Sequence, residues 1–135
     1  MGWLREMVDE YRHALHKAES AEAYIKSRAE AGTASEAGFK IDDAIRAMVR
    51  PGYYEHFKST KESRKYYRVY EVLPSVNHDT GPHAYEVIYE ALYPPHTGRK
   101  TRRELTGPDG FLTPINRESY MCPRFMWVGT EYPSL

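Results

Sequence analysis

The sequence predicts an α+β protein, in which a helical hairpin over residues 1–50 precedes a small antiparallel β-barrel or bent sheet of about five strands over residues 51–135. Residues 3–31 contain neither Pro nor Gly, and their apolar residues recur at helical spacing. From Tyr53 onward, short runs of β-forming residues alternate with turn-forming residues. The length of 135 residues suits one domain, or a small domain with a helical appendage.

Two helices are predicted in the first fifty residues. Steps of three and four place most apolar residues of Trp3–Ala31 on one stripe, and Gly32 suits a C-terminal stop. The second helix begins either at the capping-box spacing Thr33-x-x-Glu36 or near Asp42. Pro51 and Gly52 end its pattern.

Strands and turns are predicted in the remainder of the chain. The clearest strand has tyrosines at alternate positions, which either pack in the core of the sheet or contact a ligand. Residues 96–110 are predicted as a long basic loop, a kind of segment that is more often functional or mobile than structural. The five predicted strands are Tyr53–Lys58, Tyr66–Leu73, Ala84–Tyr93, Phe111–Ile115 and Arg124–Val128.

Composition excludes several classes of function. Lys plus Arg and Asp plus Glu both number 19, and this zero net charge argues against binding of long nucleic acid. No apolar run is as long as a membrane span, and the first residues lack the pattern of a signal peptide, so we expect a cytoplasmic protein without membrane contact. Cys122 is the only cysteine, which excludes an internal disulfide and a multi-cysteine zinc site.

Catalytic and cofactor motifs are absent from the sequence. The six histidines do not show metal-ligand spacing, and there is neither a phosphate-binding glycine loop nor a nucleophile elbow. We therefore predict a protein that is not an enzyme and that uses neither a cofactor nor a metal. The 12 tyrosines favour strands and a surface for a ligand or partner.

A basic segment carries the predicted ligand site. Residues 99–103 hold four cations in five residues, between Tyr93 and Phe111. Arginine can grip phosphate with two parallel hydrogen bonds, and aromatic rings can stack on bases. The alternative is a solvated hairpin tip that keeps a sheet edge soluble. The predicted ligand residues are Arg99, Arg102 and Arg103 for phosphate, Tyr89 or Tyr93 for stacking, and Asn116 and Arg124 for further polar contacts.

The segment that begins at Gly52 resembles a family of short bacterial domains of unknown function, whose opening strand reads roughly Gly-x-Tyr-x-His-Tyr-Lys. The resemblance implies a small SH3-like β-barrel, and it implies no activity. Residues 111–113 lack the family's tryptophan and arginine, residues 61–64 and 94–110 are insertions, and the first fifty residues lie outside the resemblance. The matching segments are Gly52–Lys58, Tyr70–Leu73, Asn77–Thr80, Val87–Tyr93 and, weakly, Leu112–Pro114.

The layout is also similar to that of phage-encoded sponge proteins that sequester nucleotide immune signals, including the anti-Thoeris type. This similarity rests on size, layout and the mixture of arginine and aromatic residues. It implies a small cytoplasmic homo-oligomer without catalytic machinery that binds a nucleotide-like ligand. No residue role is transferred from these proteins.

Binding of a small anionic, nucleotide-like ligand is thus the leading hypothesis. A homo-oligomer is expected with it, because an amphipathic hairpin on a small barrel leaves an apolar stripe to cover. The alternative is a protein-interaction module, for instance an inhibitor that binds a host defence protein through the Trp3–Ile25 stripe. A third interpretation, an RNA-binding barrel, predicts an affinity that falls steeply with salt.

Overall fold

The computed structural model describes residues 2–31, 36–74, 84–117 and 120–133, and the side chains of residues 2–8 and 120 lie outside the description. Within these described ranges, two helices precede seven strands. The helices are α1, Gly2–Ala31, and α2, Glu36–Arg46. The strands are β1, Gly52–His56; β2, Tyr66–Pro74; β3, Tyr85–Ala91; β4, Lys100–Glu104; β5, Ile115–Arg117; β6, Tyr120–Cys122; and β7, Phe125–Gly129.

The two helices pack against each other as the predicted hairpin. Helix α1 ends at Ala31, one residue before the expected glycine stop. Helix α2 begins at Glu36, between the two predicted starts, and residues 33–35 of the predicted capping box lie outside the described residues.

A buried polar network joins the hairpin to the sheet. Arg28 Nε of α1 donates a hydrogen bond of 3.0 Å to Asp42 Oδ1 of α2, and the two side chains are only 8% and 17% exposed. The hydroxyl of Tyr85, on β3, donates to the same carboxylate oxygen. Burial alone would raise the pKa of Asp42, but the hydrogen bonds from Tyr85 and Arg28 outweigh it and leave that pKa lowered. One carboxylate therefore connects α1, α2 and β3.

Five strands form one antiparallel sheet in the order β4-β3-β2-β1-β7, and β5 pairs with β6 in a separate hairpin. The predicted α+β architecture and the count of about five sheet strands are confirmed. The closed-barrel form of the prediction is wrong, because the edge strands β4 and β7 do not pair. Instead, the chain turns back after β4, and Phe111 stacks on Phe125 of β7 with ring centroids 4.4 Å apart. Side-chain packing thus takes the place of the hydrogen bonds between β4 and β7 that would close a barrel.

The hairpin and the sheet share one hydrophobic core. Strand β3 alternates strictly, with buried residues on the face that we call the core face and half-buried residues on the outer face. The helices bring Ala21 and Ile45 to this cluster, and both are fully buried. Other members of the core are Val49, Tyr54, Val69, Val72, Tyr85, Val87, Tyr89, Leu105, Phe111 and Phe125.

Two predictions about strands are wrong. The predicted loop over residues 96–110 contains β4, whose backbone pairs with β3 although its sequence is almost entirely polar. Of the predicted strand Phe111–Ile115, only Ile115 lies in a strand. Phe111 and Leu112 form a turn, and their backbone N–H groups donate to the carbonyl oxygens of Glu104 and Leu105. Within the described ranges, no helix combines the length and the apolar character needed to cross a bilayer.

Candidate functional site

A groove of about 440 Å³ lies between α1 and the β1–β7 edge of the sheet, and we call it the α1–β7 groove. Its volume falls within the range of small-molecule sites. Three distant parts of the sequence form it: α1, the segment from the end of α2 into β1, and residues 111–127. The lining residues are Glu10, His13, Ala14, Lys17, Met48, Val49, Arg50, Tyr54, Phe111, Leu112, Pro123, Arg124, Phe125, Met126 and Trp127.

Four aromatic rings form the apolar part of the groove. Tyr54 makes edge contacts with Phe111 and Trp127, each at a centroid distance of 5.4 Å. Its hydroxyl donates to the carbonyl oxygen of Arg50 at 2.8 Å, and burial raises its pKa to about 12. Phe125 lies stacked against Phe111. Tyr54, Phe111 and Phe125 are buried in the core, so the exposed ring surface of the groove belongs to Trp127, which is 37% exposed. A single exposed indole is a surface that an aromatic ligand can contact.

Gly52 allows the Trp127 ring to lie close to the backbone of β1. A Cβ atom at position 52 would lie 2.6 Å from Trp127 Cζ3 and 2.8 Å from the carbonyl oxygen of Gly129. The φ angle of Gly52, +148°, is also one that residues with a side chain rarely adopt. Only glycine is thus compatible with this position of the indole.

Three cations and one carboxylate surround the rings. The guanidinium of Arg50 lies 4.3 Å from the centroid of Trp127. Lys17 projects from α1, and burial lowers its pKa. Within the side chains that the structure describes, Lys17 makes no ion pair, although Glu10 also lines the groove. A partly desolvated ammonium without a counter-ion favours an anionic ligand.

Arg124 is the third cation of the groove, and its side chain is only 10% exposed. Its Nε atom donates to the carbonyl oxygen of Thr113 at 3.3 Å, and its Nη2 atom lies 3.9 Å from Asp109 Oδ1. Burial, and next the charge of Arg103, lower its pKa. Arg124 is a predicted ligand residue that the structure places in the groove.

The structure separates the predicted phosphate donors, because successive side chains of a strand point to opposite faces. Arg103 pairs with Val87 in register on the core face, where its Nε donates to the Tyr89 hydroxyl at 3.1 Å. Arg102 lies on the outer face, with its Nε 3.6 Å from Glu86 Oε1. Arg99 lies in the turn before β4, and its side chain is exposed. The three arginines therefore do not form one phosphate grip.

The two tyrosines predicted to stack on a base have other partners. Tyr89 is 6% exposed, and its ring packs against Tyr67, Phe111 and Phe125 in the core, so it offers no open face. Tyr93 is half-buried, and its hydroxyl lies 2.7 Å from that of Tyr67. Neither tyrosine lines the groove.

Asn116 also lies outside the groove. It is exposed on β5, in the small two-stranded sheet. A second, shallower cavity of about 370 Å³, which we call the β4 notch, lies beside β4. It is lined by Tyr89, Thr101, Arg102, Arg103, Glu104, Pro108 and Asp109.

Lys17, Arg50 and Trp127 are site residues that the sequence analysis did not identify. The sequence contains one signal for Lys17: it lies at helical spacing from Ala14 and Ala21, on the apolar stripe of α1. A lysine on such a stripe either buries its aliphatic stem and extends its ammonium group into water, or places that group in a polar cavity.

Two titratable groups outside the groove, His56 and Cys122, have pKa values shifted by burial. Burial, and then the charges of Arg103 and Lys58, lower the pKa of His56 to about 4, so its ring is neutral near pH 7. Its Nδ1 accepts the backbone N–H of Lys58 at 3.2 Å. Burial raises the pKa of the Cys122 thiol, which does not line the groove. Among the described residues, no group of three or more His, Cys, Asp or Glu side chains is placed to hold a metal ion.

Comparison with protein-family models, with curated proteins and with solved structures finds no match to this chain. The resemblances to the SH3-like bacterial domains and to the sponge proteins therefore stay predictions.

Proposed function

We propose that this protein is a non-enzymatic binding protein that holds a small anionic, nucleotide-like ligand in the α1–β7 groove. The observation that carries the proposal is that two partly or largely buried cations in the groove have incomplete charge compensation. Lys17 is partly desolvated without an ion pair among the described side chains, and the nearly buried Arg124 has one carboxylate at 3.9 Å. Withdrawing such charges from water is costly unless an anion compensates them.

The aromatic rings beside these cations narrow the class of ligand. Trp127 presents exposed apolar ring surface beside the buried rings of Tyr54 and Phe111, whereas Lys17 and Arg124 present positive charge. A nucleotide combines a flat heteroaromatic base with an anionic end, and aromatic side chains contact bases of any sequence. A purely apolar ligand would leave both cations uncompensated.

A thermal-shift panel tests the proposal, with mono-, di- and cyclic nucleotides and ADP-ribose derivatives as ligands. A ligand at one hundred times its Kd stabilises the native state by about 2.7 kcal/mol, which corresponds to a rise in Tm of several degrees. A hydrogen bond to a charged group contributes about 1.5–3 kcal/mol. We therefore expect Lys17→Met to raise the Kd of a hit, measured by calorimetry, about 10- to 100-fold.

Two variants serve as matched controls. Lys26→Met removes the same charge from an exposed position of the same helix, and Arg99→Ala removes an exposed cation before β4 that lines neither cavity. Both should bind as the wild type does. A panel without any stabilising ligand, or an unchanged Kd in Lys17→Met, would contradict the proposal.

A protein-interaction module is the second candidate, and the exposed apolar side chains of β7 favour it. Met126 and Val128 are exposed on a strand that lies at an edge of the sheet. Val128 does not line the groove, so Val128→Lys separates the two candidates. Loss of a host protein partner in that variant, with nucleotide binding absent from the wild type, would favour this candidate.

Sequestration of an immune signalling nucleotide, a homo-oligomeric assembly and a cytoplasmic location remain predictions from the sequence. Gel filtration with light scattering measures the assembly directly. The ligand panel includes the nucleotides that a sponge protein of this kind is expected to bind.

A further inference from the structure

Two arginines converge on Asp109: Arg103 lies on β4, and Arg124 lies in the bend between β6 and β7. Arg103 Nη1 donates to the carbonyl oxygen of Asp109 at 2.7 Å, and Arg124 Nη2 lies 3.9 Å from its carboxylate. Each guanidinium is also held through its Nε atom, Arg103 by the hydroxyl of Tyr89 and Arg124 by the carbonyl of Thr113. The two cations are therefore fixed in position before any ligand arrives.

The Asp109 carboxylate, which faces Arg124, is held loosely. Asp109 is 86% exposed, whereas Arg124 is 10% exposed, and their separation of 3.9 Å is long for an ion pair. Burial and the charge of Arg103 lower the pKa of Arg124, which indicates that Asp109 compensates the Arg124 charge incompletely. An exposed carboxylate at this distance contributes little stability and is easily displaced.

We propose that Arg103 and Arg124 form the phosphate subsite of the ligand, and that Asp109 is an internal counter-ion which the phosphate displaces. The inference rests on the proposed function and extends it, because it assigns the anionic end of the ligand to this arginine pair. Arginine suits this role, since its planar fork matches the oxygens of a phosphate group. The ligand class is thereby a phosphate ester or diphosphate with a planar aromatic group.

The position of Asp109 also supports the inference. Arg124 lines the α1–β7 groove, whereas Arg103 and Asp109 line the β4 notch. The contact between Asp109 and Arg124 therefore lies where the two cavities approach each other. Glu104 is the other acidic residue of the notch, so a phosphate seated here faces both carboxylates until Asp109 moves away.

Inorganic pyrophosphate is the first probe, because its binding does not depend on the identity of the base. We expect it to stabilise the wild type in a thermal-shift titration. Asp109→Asn removes the competing charge and should bind pyrophosphate about two- to fivefold more tightly. Asp43→Asn, which alters an exposed aspartate on α2, should leave the affinity unchanged. Arg124→Gln should weaken binding at least about tenfold.

A spectroscopic readout covers the case in which Arg124→Gln does not fold. In the wild-type protein, pyrophosphate should shift the Nε–Hε resonances of both Arg103 and Arg124, because both guanidiniums receive the same anion. Unshifted resonances, or equal pyrophosphate affinity in Asp109→Asn and the wild type, would overturn the inference.

The second probe pair is adenosine and adenosine 5′-diphosphate, which separates this inference from the proposed function. If adenosine and adenosine 5′-diphosphate bind with the same Kd, and Asp109→Asn changes neither Kd, the groove is a ligand site and the phosphate subsite is refuted. If the whole nucleotide panel fails while pyrophosphate binds through Arg124, the subsite stands and the nucleotide proposal fails.

Discussion

Replacing Tyr85 with phenylalanine tests how the helical hairpin is held on the sheet, and hence what keeps the groove formed. The change removes the hydroxyl that donates to Asp42 and leaves that carboxylate with Arg28 as its remaining side-chain hydrogen-bond donor. Hydrogen bonds to charged groups contribute about 1.5–3 kcal/mol. Because Arg28 and Asp42 are both largely buried, we expect a loss of about 2 kcal/mol near pH 7.

The sign of the pH dependence follows from the lowered pKa of Asp42. A carboxyl group with a lowered pKa in the folded state stabilises the protein above its ordinary value of 3.8, and this contribution is lost as the pH falls through the folded value. In Tyr85→Phe the pKa of Asp42 moves upward. The difference in stability from the wild type should therefore be largest near pH 7 and should shrink below about pH 4.

Urea denaturation near pH 7 and near pH 3 measures both effects, and Asp42→Asn completes a double-mutant cycle with Tyr85→Phe. Tyr132→Phe is the control, because Tyr132 is exposed. A loss below about 0.5 kcal/mol, or the same loss at both pH values, would refute the role assigned to this network.

Two further predictions concern β1. Burial lowers the pKa of His56 to about 4, so the free energy of unfolding of the wild type should fall as the pH drops from about 6.5 towards 4. The fall should be smaller than the limit of about 1.4 kcal/mol per pH unit that one proton sets. His56→Gln should flatten this slope in urea titrations, and an unchanged slope would contradict the assignment. Gly52→Ala should lower stability by about 1–3 kcal/mol, because its Cβ would clash with Trp127. Gly129→Ala is its matched control, since Gly129 has a similar φ of +159° but open space around its Cβ position, and equal melting temperatures in the two variants would refute the clash.

The sequence predicts those elements whose side chains carry the periodicity of their own structure. Helix α1 shows a stripe without Pro or Gly, and β3 alternates strictly between buried and half-buried residues. Strand β4 shows no such pattern, since it is almost entirely polar, and its backbone bonds to β3 hold it in place. The apolar residues Phe111 and Leu112 suggested a strand, but they pack from turns.

The site is harder to predict because sequence proximity does not bring its residues together. Arg102 and Arg103 are neighbours in the chain and lie on opposite faces of β4. Lys17 and Arg124 lie far apart in the chain and line one groove, which forms only when α1 packs beside the strands. Charge clusters within one segment therefore do not show which cations meet in space, and Arg124 is the predicted ligand residue that lines the groove.

The groove also has a consequence for how this chain folds as it is synthesised. Helix α1 emerges before the strands, and its strand partners arrive at different times. Ala21 joins the core with residues of β2 and β3, whereas the groove side of α1 meets β6 and the ring of Trp127, which are synthesised later. At about 5–20 residues per second, the groove side of α1 lacks these later partners for on the order of ten seconds. The hairpin and the core strands are therefore in place before the groove forms. Chaperone contact with the nascent chain is therefore expected at α1, and it should end when β7 has been translated.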